Sequence, residues 1–340
     1  MKMAISNRYE FMYFVECING NPNGDPDMGN SPRLDPQDMR GLISDVAVKR
    51  RIRNYIQFAK PQPGNEHYGI IIQQSTNINK YIAKAHEETG NPKMKKSRAN
   101  TELAREWLCK HFYDVRTFGG VLSTGANAGQ VRGPVQMTFL RSVDPILPLD
   151  ISITRMAVAE NLKKGLATSA EYEEWEREKP EDELRTMGRK QIIPYGLYEG
   201  RGFISANLAQ ATNFSQADLK LFWQALLGMY EHDRSASKGQ MSTIPPVIIF
   251  KHVGTDTDEE QRIRQSMLGC APAHQLFNLV SLKRREEVET ARSYEDYLLT
   301  IDEGALPAGV ELLYAVPAPE GAKILSCEEA KELDWVKIKQ

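Results

Sequence analysis

The segment Asn19-Gly20-Asn21-Pro22-Asn23-Gly24-Asp25 crowds carboxamides and glycines into seven positions. That mixture binds through amide groups and backbone N–H donors, not through charge. Its spacing imitates a calcium loop with Gly24 sixth, yet the first, third and fifth positions are neutral Asn19, Asn21 and Asn23, and the twelfth is Asn30. A calcium loop needs several carboxylates to offset dehydration of the ion. The loop therefore suits sugar and phosphate contacts, or a rigid double turn. Immediately after it, residues 33–60 carry seven basic side chains (Arg33, Arg40, Lys49, Arg50, Arg51, Arg53, Lys60) against Asp35, Asp38 and Asp45, a net +4. Ser44 stands just before the densest part. A polar loop beside a basic edge is the local chemistry of a polyanion grip, although a solvated surface edge would look the same.

Gly119-Gly120 opens a glycine-rich stretch that runs to Arg132-Gly133 and fits neither a Walker A loop nor GxGxxG, since no Gly-Lys-Ser/Thr closes it. Close backbone approach to a bound strand explains the glycines, and so does a plain surface loop. Two further short basic runs are Arg189-Lys190, ending Thr186-Met187-Gly188-Arg189-Lys190, and Arg234-Ser235-Ala236-Ser237-Lys238. Met156 and Met187 are core filler or wedges that slip between bases. His232-Asp233 resembles a metal phosphohydrolase dyad, but the other five histidines offer no matching ligand spacing. No Ser-His-Asp, HExxH or paired-carboxylate pattern stands out, so no catalytic residue, metal site or cofactor is expected.

These residues need a scaffold. Residues 8–18 read as a buried strand, 19–36 as turns, and 40–60 as a helix with Val48, Ile52, Tyr55, Ile56 and Ala59 on one stripe. A short strand is expected at 69–73 and a helix at 101–112. Further strands are expected at 134–140, 150–158, 191–197, 202–208, 246–252, 276–283 and 310–316. Asn213–Tyr230 reads as a helix capped by Ser215, and 254–266 as a charged loop. The mixed connections point to α+β. Between them lies a polar arm, with eight acids against Arg177 and Lys179 in 170–184, a net −6. The overall charge of −2 over 340 residues thus hides strong segregation and does not exclude a polyanion partner. No run of apolar residues is long enough to span a membrane, the first residues lack a signal-peptide run, and the four cysteines form no framework. A cytoplasmic, membrane-free protein is expected.

Asn19–Asp27, Ser44–Asn54, Phe118-Gly119-Gly120 with Gly133-Pro134-Val135-Gln136, Thr186–Lys190 and Glu231–Lys238 together resemble the CRISPR-associated backbone subunit of Cascade, in its type I-C form. The resemblance runs from about residue 8 to 316. It implies an RRM-like, ferredoxin-like βαββαβ palm spanning 1–340, elaborated by a finger-like helical insertion near 60–116 and a thumb-like arm at 157–190. It implies a non-catalytic protein of antiviral defence whose copies polymerise head to tail along guide crRNA and present it to target DNA. Its other partners would be the crRNA-end-binding, large and small Cascade subunits and a recruited helicase-nuclease. Lys49, Arg50 and Arg53, with Ser44 nearby, would contact the guide backbone. Asn19, Asn21, Asn23, Arg33, Gly119, Gly120, Arg132, Arg189, Lys190, Arg234 and Lys238 complete the expected RNA-binding set, with Met156 and Met187 as wedges. A rival reading is an RRM-like endoribonuclease processing CRISPR repeat RNA, with His232 and Tyr55 the nearest acid–base candidates. A self-assembling structural protein with incidental RNA affinity is a third.

Overall fold

The structure is a computed structural model that describes residues 3–159, 165–331 and 337–339. In chain order its framework is β1 (Tyr9–Gly20), β2 (Arg40–Ile43), α1 (Asp45–Ala59), α2 (Asn79–Glu88), α3 (Arg98–His111), α4 (Tyr113–Phe118), β3 (Leu140–Pro145), β4 (Leu149–Arg155), α5 (Ser169–Arg177), β5 (Thr186–Ile204), α6 (Gln216–Gly228), β6 (Gln240–His252), β7 (Val310–Ala318) and β8 (Gly321–Ser326), with shorter pieces between. One large sheet runs β8-β7-β6-β1-β5-β3-β2, every neighbouring pair antiparallel.

β1 sits at its centre and is buried on both faces. That is why its middle, residues 11–15, reads as an unbroken apolar and aromatic run instead of an alternation. Phe11, Tyr13 and Val15 join the α1 and α6 side, with Val48, Ile52, Ile56, Phe222, Trp223 and Leu226. Met12 and Phe14 join the opposite side, under Leu276, Phe277, Tyr297 and Leu299. A third cluster ties α2 and α3 to the glycine-rich hairpin through Ile82, Leu108, Phe112, Leu122 and Val131. The two helices on the first face are started by side-chain caps. Ser44 accepts from the Ala47 N–H, and Ser215 forms a capping box with Asp218. The arm begins as the exposed ribbon of β4 paired with β5, from Leu149 opposite Ile192 to Arg155 opposite Thr186. It continues into α5, capped by Thr168 and Glu171. Residues 160–164 of the expected 157–190 arm lie outside the described residues.

Several expectations need correction. Residues 40–43 are a strand paired with β3, and the helix starts only after Ser44. Ala59 is exposed at the frayed end of the stripe. Residues 69–73 form a turn with one bridge, Gly69 to Phe112, and no strand. The expected strands 191–197 and 202–208 are one continuous β5 followed by a helix at Ala206–Thr212. Gly200 and Gly202 do not break β5. The Tyr13 and Phe11 rings lie over them, and a Cβ there would come within 2.4 and 2.1 Å of those rings. Residues 259–268 are a helix capped by Asp258 instead of a loop, and 276–283 split into a helix, Ala273–Asn278, and a strand, Val280–Arg284.

α4 is fastened to α6 by a buried ion pair, Arg116 to Asp218 at 2.7 Å. The Asp218 carboxylate also accepts from the Ser215 N–H (2.9 Å) and hydroxyl (2.7 Å). Removing one partner leaves a buried charge uncompensated, which costs about 3–5 kcal/mol. Asp218→Ala is therefore expected to lower the unfolding free energy by that amount in chemical denaturation. The double change Asp218→Leu with Arg116→Met should recover most of the loss.

Candidate nucleic-acid interface

β1 ends at Gly20, and the left-handed φ of 50° at Asn19 turns the chain into the asparagine loop. The loop is built mainly from its own amides. The Asn21 N–H donates to the Ser237 carbonyl at 2.8 Å, and its side-chain Nδ2 donates to the Asn30 carbonyl at 2.6 Å. Asn23 Oδ1 accepts from both the N–H (2.8 Å) and the hydroxyl (2.9 Å) of Ser44, pinning the loop to the first turn of α1. Gly20 and Gly239 press backbone to backbone, so a Cβ on Gly20 would stand 1.8 Å from the Lys238 carbonyl oxygen. Arg33 pairs with Asp25 at 3.3 Å. Among the described residues, Asn21 Oδ1 and Arg33 Nε are buried without a hydrogen-bond partner. The loop thus keeps one acceptor and one donor that its own structure does not use.

The basic residues of α1 sort into two groups. Arg51 and Arg53 face inward. Arg53 Nε donates to Asp114 at 2.8 Å, and that carboxylate also accepts from the Ile71 (2.9 Å) and Ile72 (3.2 Å) N–H groups. Arg51 bonds the Ala47 carbonyl at 3.0 Å and pairs with Asp233 at 3.4 Å over the Tyr230 ring. Lys49 lies on the edge, paired with Asp45 at 2.8 Å and 5.7 Å from the Phe118 ring centroid. Arg50 makes no ion pair among the described residues. At Arg53, one of the expected guide contacts, the guanidinium Nε is spent on Asp114 inside the fold. Nothing local betrays this, because the partner lies 61 residues away.

The 231–239 loop completes the site. Lys238 is held by Asp233. Burial pushes its ammonium below the usual lysine value, with Asp233 pulling it back up. Arg234 pairs with Glu231 at 2.8 Å and bonds the Met241 carbonyl at 3.0 Å. Lys190, at the base of the arm, donates to the Ala236 carbonyl. Asn19, Asn21, Asn23, Arg33, Ser44, Lys49, Arg50, Lys190, Arg234 and Lys238 thus gather around the loop, the start of α1 and the 231–239 turn. Gly119 and Gly120 pair with Arg132 and Val131 in a short hairpin that abuts α1 through Phe118. Arg189, 78% exposed beside Asp150, and the exposed Met156 and Met187 lie on the arm. Tyr55 and His232 have ring centroids 6.0 Å apart, and the neighbouring Asp233 is held by Arg51 and Lys238. Among the described residues no helix is long and apolar enough to cross a membrane.

A family model described as CRISPR-associated protein Cas7 matches residues 7–302. A protein of the same description from Haloferax volcanii is 26% identical over 238 residues, 66% of this chain. The chain spans 65% of that relative's length. Among solved structures, a chain of a "CRISPR RNA-guided surveillance complex, pre-nicking" is 13% identical, with 74% of this chain and 79% of that one covered and a TM-score of 0.42. A chain of a "CRISPR RNA-guided surveillance complex" is also 13% identical, with coverages of 77% and 76% and a TM-score of 0.39.

The sorting of cations is testable by stability alone. Arg53→Glu sets a carboxylate against buried Asp114 and is expected to cost about 3–5 kcal/mol in urea unfolding. Arg50→Glu, which breaks no ion pair, should stay within about 0.5 kcal/mol of the parent. Equal losses would show that Arg53 is not held as described.

Proposed function

The chain belongs to the CRISPR-associated Cas7 family, and from that premise we propose that it is a non-catalytic backbone subunit of a type I-C CRISPR RNA-guided surveillance complex. In this reading several copies polymerise head to tail along guide crRNA and hold it for pairing with target DNA. The crRNA-end-binding, large and small subunits are further partners, and a helicase-nuclease is recruited by the complex. The carrying observation is the convergence of the asparagine loop, the edge of α1 and the 231–239 turn at one place. Amides, glycine backbones and a few unspent cations recognise phosphate and 2′-OH without regard to sequence. Specificity for the target then falls to base pairing.

The strand order β6-β1-β5-β3, with α1 and α6 on one face, corresponds to fourth-first-third-second in a βαββαβ unit and supports an RRM-like palm. Within that palm, 60–116 reads as the finger, supported by its own apolar cluster. Residues 157–190 read as the thumb, supported by the exposed ribbon and α5. The thumb of one copy would cross the RNA of the next, with Met156 and Met187, 69% and 75% exposed, as wedges between bases. A head-to-tail contact whose rotation does not close produces a helical filament. The acidic arm meeting a neighbour's basic surface would strengthen that contact.

The test is co-purification with a repeat-spacer transcript, followed by size-exclusion chromatography and a urea gel. The parent should form large assemblies carrying intact RNA of discrete length. Arg50→Glu with Lys190→Glu should reduce retained RNA about tenfold and lessen the salt dependence of binding by a slope of about 1.4, the share of two single-strand phosphate contacts. Unchanged RNA would sink the site, and a monomer that cuts the transcript at one position would replace the whole reading.

A further inference from the structure

Beyond the α1 edge, the finger holds a cleft of about 620 Å³ between the end of α1, the 61–73 turn, α2 and α3. We propose that it is a second nucleic-acid site, a pocket that receives one unstacked nucleobase. None of its lining residues belongs to the guide-contact set, so it stands apart from the reading above.

Its walls are aromatic. Trp107 and His111 stack at 4.0 Å with 24° between planes, and Tyr81 meets Phe112 edge-on at 5.0 Å. Flat faces of this kind favour a flat ligand, and stacking accepts any base. The rim supplies amides. Gln73 Nε2 donates to the Ile70 carbonyl at 2.5 Å and Gln62 Nε2 to the Asn65 carbonyl, which leaves both side-chain oxygens unengaged among the described residues. The Gln57 side chain makes no hydrogen bond among them. His111 Nδ1 donates to the Trp107 carbonyl at 2.8 Å, so in the neutral ring Nε2 remains an acceptor. Carboxamides and an imidazole acceptor match the donor and acceptor edge of a heterocycle.

Charge decides against a bare phosphate. Lys60 and Lys84 are offset by Glu66 and Glu88 in the lining, and the site lies at the carbonyl end of α1, where the helix dipole disfavours anions. Neither lysine makes an ion pair among the described residues, although Lys60 sits 5.4 Å over the Tyr68 ring. They can therefore meet the phosphate attached to an inserted base. The volume is within the usual range for a small-ligand cleft.

The experiment uses the full chain in an Arg50→Glu background, so that the α1 edge contributes little. The probe is a short single-stranded oligonucleotide carrying one fluorescent adenine analogue. Saturable quenching is expected, retained by Trp107→Phe and weakened about tenfold by Trp107→Leu, the usual effect of losing one base–aromatic stack. Circular dichroism checks that each variant folds. Should Trp107→Leu unfold, Lys84→Glu at the exposed rim takes its place, and weaker binding of the oligonucleotide is expected. Adenosine monophosphate alone separates the sources: weaker binding than the oligonucleotide assigns the base to a strand, and equal binding assigns it to free nucleotide. The proposal is overturned if an abasic oligonucleotide binds as tightly, if folded Trp107→Leu or Lys84→Glu binds like the parent, or if only a proline-rich peptide occupies the cleft.

Discussion

Asp114 is the point on which the arrangement turns. One fully enclosed carboxylate receives the Arg53 guanidinium from α1 and two N–H groups from the 70–72 turn, while Arg116, two residues on, grips Asp218 at the start of α6. Both ion pairs surrender hydration that their attraction barely returns, so they are weak evidence for stability. What they do fix is register. Apolar side chains tolerate sliding, whereas a guanidinium and a carboxylate out of line leave bare charges in the core. α1, α4 and α6 are thereby locked to one another. The glycine hairpin that follows α4 and the turn that precedes the finger inherit their positions from that lock.

The site itself occupies the ends and edges of this framework. Because β1 is covered on both faces, the sheet has no free central surface on which a strand of nucleic acid could lie. The positions left are the turns beyond β1 and β6, where Gly20 and Gly239 touch, and the outer edge of α1. The asparagines in those turns mostly hold the turns together. Asn23 spends its oxygen on Ser44, and Asn21 ties the loop to Ser237 and Asn30. The amide-rich composition is thus first a way of building a rigid rim.

Some of this could be read from residues alone. β1 is legible because residues 11–15, buried on both sides, are all apolar or aromatic, and Ser215 because a cap is decided within three residues. β2 was swallowed into the helix since four residues carry no period of their own. The gap expected between 197 and 202 is filled because Gly200 and Gly202 make room for rings on another strand, Tyr13 and Phe11. The 259–268 helix, rich in charge and with only Ser266 buried, lacked an apolar stripe and looked like a loop. Loop, helix edge and turn could each be suspected from composition. Their meeting could not, since it depends on contacts such as Asn21 to Ser237.

The same limit governs electrostatics. Between residues 33 and 60 the sequence counts seven cations, but polyanion affinity arises only from those free to displace counterions. Arg51 and Arg53 are held inward by Asp233 and Asp114, Arg40 leans on Asp38, and Lys49 is paired with Asp45. Arg50 is left as the cation of that helix with no internal carboxylate among the described residues, and Lys60 lies over a ring. A helix that looks strongly basic in sequence therefore presents a weak field, and in the proposed function its grip would rest on several modest contacts distributed over two turns and the helix edge. Under the proposed function such a surface would bind without choosing a base, because modest contacts to phosphate and 2′-OH read no base edge. If a strand is held here in register, it is the rigid spacing of the rim that sets the register, with local charge adding attraction but little selectivity.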